Sequence, residues 1–234
     1  MALYSGMQAS LFDSCKGYIQ ALASRPFSQH IKAQPAITIS RETGAGAMTI
    51  GKLLVKILED RHHGSLPWTF FDRELVERVI QDHALPERLK RYMPEDKGNI
   101  HTMIEEVFGL HPDPRSLVEH TADTILRLAT LGNAIMVGRG GNIVTSRLPN
   151  VLHVRLVAPM ETRIRRIRKL RNLTEREAVL YIETADMGRR RYVKHYFNED
   201  IADPLHYHLV VNTGMVPDER AAMLIADAAE HLVQ

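Results

Sequence analysis

The sequence has one cysteine, Cys15, and one tryptophan. A lone cysteine excludes an intramolecular disulfide and argues against a cysteine-based zinc site. Nowhere do roughly 18 apolar residues run together, as a membrane-spanning helix requires. The opening segment, "MALYSGMQASLFDSCKGYIQ", has neither the basic start nor the apolar centre of a secretory signal, so the cytoplasm is the expected compartment. Charge of either sign is scarce in excess: 30 Lys and Arg against 28 Asp and Glu leave +2. That is too little to hold nucleic acid by bulk field, and small molecules are the expected partners rather than nucleic acid or a membrane. Twelve histidines are scattered, and the adjacent pair in "RHHG" lacks companions at metal-ligand spacing. Internal repeats and low-complexity tracts are also missing.

What is present describes a globular chain, 44% apolar and 25% charged, long enough for one α/β domain or a core domain with a smaller insert. Short apolar runs at 36–40, 67–72, 133–137, 151–157 and 207–213 read as strands. Helical spacing appears weakly at 7–24 and clearly from Ile50, where Leu53, Leu54, Ile57 and Leu58 complete a one-faced stripe. Further helices are predicted after Asp72, a plausible N-cap, and at about 100–108, 115–131, 160–171, 174–197 and 217–232. Strands separated by helices predict a five-stranded parallel sheet with helices on both faces.

The first strand runs into "RETGAGAMTIGKL". One register, "GAMTIGKL", nearly fits the G-x-x-x-x-G-K-[ST] phosphate-binding loop. It fails because Leu53 stands where a magnesium-binding hydroxyl belongs, and because the stripe from Ile50 makes those residues helical. The alternative register starts at Arg41. Gly44 and Gly46 become the loop glycines, whose flexible backbone lets N–H groups converge on phosphate oxygens ahead of a helix N-terminus. Taken alone, this segment reads equally well as a glycine turn between strand and helix.

Later glycine-rich or basic clusters follow the other strands. Asp72 and Arg73 follow the second, "GRGG" (138–141) the third, and "APMETRIRRIRKLR" the fourth, with Arg163 and Arg166 one turn apart. In open α/β sheets the carboxyl ends of strands are where ligands bind. Each cluster has a plainer reading: Asp72 as a helix cap, "GRGG" as a turn, and Arg165, Arg168, Lys169 and Arg171 as a solvated face. Met48, Met103 and Met136 read as core.

From Ile37 to His231, these features in this order resemble the cytidylate kinase-like family of P-loop kinases. The resemblance is to a divergent branch, carried by Ser40–Gly46, "DREL" at Asp72–Leu75, Gly138–Gly140, "DMGRRRY" at Asp186–Tyr192 and "DPLHYHLVVNT" at Asp203–Thr213. Ala47 falls where that loop carries lysine in other branches. The resemblance implies an α/β P-loop kinase fold over 36–234, with a helical acceptor-binding insert at about 73–131 and a lid region at about 160–203. Residues 1–35 are expected to form an N-terminal helical extension that either docks on the domain or mediates a homodimer.

The resemblance also implies roles. Gly44, Ala45, Gly46, Ala47 and Met48 would cradle the phosphates of ATP through backbone N–H groups, with Thr49 on Mg²⁺. Asp72 would hold the metal's water or the acceptor sugar, while Arg73 and Arg139 clamp the acceptor phosphate. Arg163, Arg189 and Arg190 would close over the donor, and Arg41 would supply charge that the missing lysine does not. The implied reaction is phosphoryl transfer to a nucleoside monophosphate, CMP or a related pyrimidine nucleotide. Two alternatives stay open: a nucleotide-binding regulator without catalysis, and a kinase for a non-nucleotide acceptor.

Overall fold

A computed structural model describes residues 34–62, 66–72 and 117–232. The helices expected at 7–24, after Asp72 and at 100–108 lie outside the described residues, as do Arg73, Met103 and most of the insert. Strands β1 (Ala36–Arg41), β2 (Thr69–Phe71), β3 (Ala134–Val137), β4 (Val151–Val157) and β5 (Leu209–Asn212) form one parallel sheet in the order β2-β3-β1-β4-β5. β1 is central, with Ile37 beside Ile135 of β3 and Leu152 of β4.

Two faces of β1 carry different chemistry because its side chains alternate. Ile37 and Ile39 are buried beneath α1 (Ala47–Arg61) and α6 (Asp218–Leu232), in a core with Ile50, Leu54, Leu58, Ala222, Ile225 and Ala229. Thr38 faces the opposite layer, which holds α2 (Leu117–Leu131) and the single-turn α3 (Gly141–Val144). Thr38 bonds the ring of His153 at 2.8 Å, and the Arg155 guanidinium donates to Ser40 Oγ at 2.9 Å. A polar layer therefore lies on one side of the central strand.

The rejected register has a packing explanation. Gly51 lies inside α1, where a Cβ would come within 2.0 Å of Phe70 Cε2. That glycine lets helix and sheet approach closely, and Lys52 beside it is exposed. The chain leaves β1 for the α1–α6 face and leaves β3 for the α2–α3 face. Adjacent strands whose connections part to opposite faces open a crevice at their carboxyl ends.

Between β4 and β5 the chain forms a helical hairpin, α4 (Met160–Arg171) and α5 (Glu175–Phe197). Asn172 ends α4 in the left-handed conformation, and a reciprocal Thr174–Glu177 capping box starts α5. The hairpin has its own small core of Ile167, Ala178 and Ile182, separate from the main one. Among the described residues no helix is long and apolar enough to cross a membrane.

Candidate active site

The segment after β1 turns sharply. Ala45 N–H donates to Glu42 O at 3.2 Å, and Gly46 caps α1 with φ +87°, a left-handed conformation that favours glycine. The first intrahelical bond of α1 runs from Ile50 N–H to Gly46 O at 2.9 Å. No side chain caps the amides of Ala47, Met48 and Thr49, and the first turn holds no acid. Such a helix start is suited to an anion. Of the five amides that the sequence assigns to phosphate, Ala45's is engaged inside the turn. Ala47's side chain is buried in the main core, Met48 packs against that core, and Thr49 is exposed.

The α4–α5 hairpin meets this loop through several charged side chains, with Asp186 as their hub. Asp186 of α5 accepts from Thr43 N–H at 2.9 Å, Thr43 Oγ1 at 2.7 Å, Arg163 Nη1 at 2.5 Å and Arg189 Nη2 at 3.0 Å. Arg189 also donates to Thr43 Oγ1. Burial by itself opposes ionisation of Asp186, but Thr43, Arg163 and Arg189 outweigh it and hold the carboxyl below the usual carboxylate range. Glu42 lies 3.7 Å from Arg163 Nε and accepts from Ala158 N–H at 3.1 Å. Arg166, one turn along α4, reaches Gly46: its Nη1 lies 2.7 Å from where a Cβ there would stand.

A cleft opens between the carboxyl ends of β1 and β3, lined by Ser40, Arg41, Arg139, Asn142, Arg189 and Tyr192 among others. Arg139 sits between Gly138 and Gly140, all three at positive φ. For arginine that is a strained conformation, of the kind concentrated at ligand sites. The Arg139 guanidinium lies 5.5 Å from the Tyr192 ring centroid. Arg41 turns toward this cleft: a Cβ at Gly138 would stand 2.2 Å from its Nη1. Arg41 thus approaches β3, and the cation over Gly46 comes from α4 instead.

The structure brings Arg41, Arg139 and Arg189 to one cleft, and Arg163 to the adjoining loop. Asp72 follows β2, half-buried at the same rim. Arg190 is not part of this gathering. It is exposed on α5, one helical step from Arg189, because neighbouring residues of a helix point about 100° apart. Arg165, Arg168, Lys169 and Arg171 are exposed too, as a solvated face should be. The sequence reading gave no role to Thr43, Asp186 or Asp218. The i,i+3 spacing of Asp186 and Arg189 was the available signal; nothing local pairs Arg166 with Asp218, 2.7 Å apart in space.

The closing motif seals the wall. Asp203 caps a short 3₁₀ turn, accepting from Leu205 N–H at 2.9 Å, and this delivers Tyr207. Tyr207 donates to Ile201 O at 2.8 Å and contacts Ser40 Oγ at 3.1 Å, while Thr213 Oγ1 donates to Ala45 O at 2.9 Å. β5 is thereby fastened to both ends of the loop.

The sequence model of the cytidylate kinase-like family matches residues 36–215. A cytidylate kinase of Pyrococcus horikoshii is 25% identical over 201 residues, covering 86% of this chain and 91% of that protein. A cytidylate kinase of Methanothrix thermoacetophila is 27% identical over 193 residues, covering 82% and 96%. The crystal structure of an uncharacterized protein from Eubacterium ventriosum superposes with a TM-score of 0.57 at 17% identity, covering 84% of this chain and 99% of that one.

Proposed function

The chain belongs to the cytidylate kinase-like family, and from that premise we propose that it transfers a phosphoryl group from ATP to a nucleoside monophosphate, CMP or a related pyrimidine nucleotide. The relatives named cytidylate kinase support the acceptor class. The observation that carries the reading is the convergence of guanidinium groups from four separate elements. Arg41 ends β1, Arg139 follows β3, Arg163 comes from α4 and Arg189 from α5, all at the carboxyl rim of the sheet.

Phosphoryl transfer proceeds through a loose, in-line transition state with charge on the equatorial oxygens, so a protein catalyses it by positioning and by fixed positive charge. The uncapped amides at the start of α1 suit the donor phosphates, and Thr49 would hold Mg²⁺ through its hydroxyl. Magnesium, when bound, neutralises β- and γ-phosphate oxygens; it is usually held by few protein groups plus the nucleotide. Arg41 and Arg139 line the β1–β3 cleft, where they would bind the acceptor phosphate with planar, permanently charged forks. The bond from the γ-phosphorus to the bridging oxygen of ADP breaks as one forms to an acceptor phosphate oxygen. The α4–α5 hairpin, fastened to the body through the hydrogen bonds and ion pairs of Asp186, Arg163 and Arg166, is built to exclude water on closing.

Burial of Ala47 favours a second reading, a nucleotide-binding regulator, since the loop itself offers no mobile cation. A coupled assay of the purified protein with MgATP and CMP, dCMP, UMP, AMP and GMP separates the two. Turnover with a pyrimidine monophosphate is expected. ATP binding with no turnover on any acceptor supports the regulator and refutes the kinase.

A further inference from the structure

The loop position at which other branches of the family carry lysine is given over to packing. Ala47 is 8% exposed, in a core with Ile50, Ile37 and Ala222. A cation at the donor phosphates must come from elsewhere in the chain. Arg163 and Arg189 both spend a donor on Asp186, and Glu42 lies near Arg163 as well. Arg41 points at the other strand. Arg166 remains.

We infer that Arg166 of α4 supplies the donor-phosphate charge that the loop lacks, and that Asp218 of α6 is the residue that positions it. The inference rests on the kinase reading above. The Arg166 guanidinium lies directly over Gly46, whose φ of +87° favours glycine; a Cβ there would stand 2.7 Å from Arg166 Nη1. Three bonds hold it: Nη2 to Asp218 Oδ1 at 2.7 Å, Nη2 to Thr213 O at 3.3 Å, and Nη1 to Thr213 Oγ1 at 3.2 Å. Thr213 Oγ1 in turn donates to Ala45 O at 2.9 Å, so arginine and loop are fixed to one another.

Arginine has five N–H donors. The three bonds leave Nε–H and one Nη1–H without a protein partner among the described residues, and the side chain is 29% exposed, within reach of a ligand. A guanidinium held in place before the reaction stabilises developing charge without reorganising at the moment of transfer. Asp218 lies in the first turn of α6, where a carboxylate is favourable. This arrangement differs physically from a loop lysine. The charge belongs to α4, so it stands at the phosphates when the lid hairpin is docked and leaves with it. Transition-state stabilisation is thereby tied to exclusion of water.

The test compares R166A, R166K, D218N and the R166A/D218N double variant, with R165A, an exposed neighbour on the same helix, as control. For R166A the expected result is a fall in kcat of about 10²–10³, as for loss of one preorganised donor, with acceptor KM little changed. R166K should retain part of that loss, and D218N alone should cost roughly tenfold. Because Asp218 acts through Arg166, D218N should add nothing in the R166A background, although both variants lower the melting temperature. Turnover by R166A within about twofold of R165A overturns the inference. A further fall in the double variant overturns the positioning role. If the unaltered protein turns over no acceptor, the kinase reading fails separately. Isothermal titration with MgATP then decides: R166A binding at least about tenfold weaker than R165A sustains the Arg166 placement, and equal or undetectable binding in both overturns it.

Discussion

Replacing Asp186 by Asn removes a single negative charge with almost no change in shape. In the protein that charge receives four donors: two from Thr43 and one each from Arg163 and Arg189. The Asp186 side chain is 14% exposed and that of Arg163 is 11%, so water repairs the loss poorly. Breaking a buried pair by removing one partner costs about 3–5 kcal/mol. Glu42, 3.7 Å from Arg163, retains part of the compensation, which brings the expectation for D186N to about 2–3 kcal/mol. In a chain of this size that corresponds to a melting temperature lower by about 4–12 °C. Hydrogen exchange should localise the loss to α5 and the loop at 42–46. The acid limb gives a second readout. The folded pKa of Asp186 lies below its unfolded value, so its contribution is present above the ordinary carboxylate range, near pH 4, and is lost as pH falls through the folded value. D186N should lack that component. A melting temperature within about 1 °C of the unaltered protein, with unchanged exchange in α5, would refute the claim that this carboxylate fastens the α4–α5 hairpin to the loop.

Other variants probe the packing, the polar layer and the two faces of α5. His153 is held neutral, its pKa pushed down to about 4 by burial and by the neighbouring His208. The unfolded chain therefore takes up the proton first, and stability should fall by about 3 kcal/mol between pH 6.5 and 4; urea titrations should find this slope reduced in H153Q, and an unchanged slope counts against it. G51A places a methyl against the Phe70 ring and should destabilise by about 1–3 kcal/mol, despite alanine's better helix propensity. A thermally stabilised G51A would contradict the close helix–sheet contact. R190A should leave stability within about 0.5 kcal/mol and turnover unaltered, whereas R189A, which removes a cleft-lining cation, should lower kcat by about 10²-fold in the coupled assay. Equal effects from the two would deny the division between inner and outer faces of α5.

Local chemistry was legible in the chain itself. Alternation and apolar runs located all five strands, β1 and β4 nearly to the residue, because a strand buried on both faces cannot hide its pattern. The stripe from Ile50 was enough to reject the nearer-looking loop register. What no local pattern carried was the pairing of distant side chains. The sheet order placed β1 beside β3 and so made a cleft of Arg41 and Arg139. Arg41 turned to that cleft because Gly138 leaves room there. Asp186 met Thr43 across 143 residues of sequence, and Arg166 met Asp218 across 52. Periodicity is a property of neighbours along the chain, so it fixed where helices and strands lie; which charge faces which is decided only when separate elements dock, and that belongs to the fold.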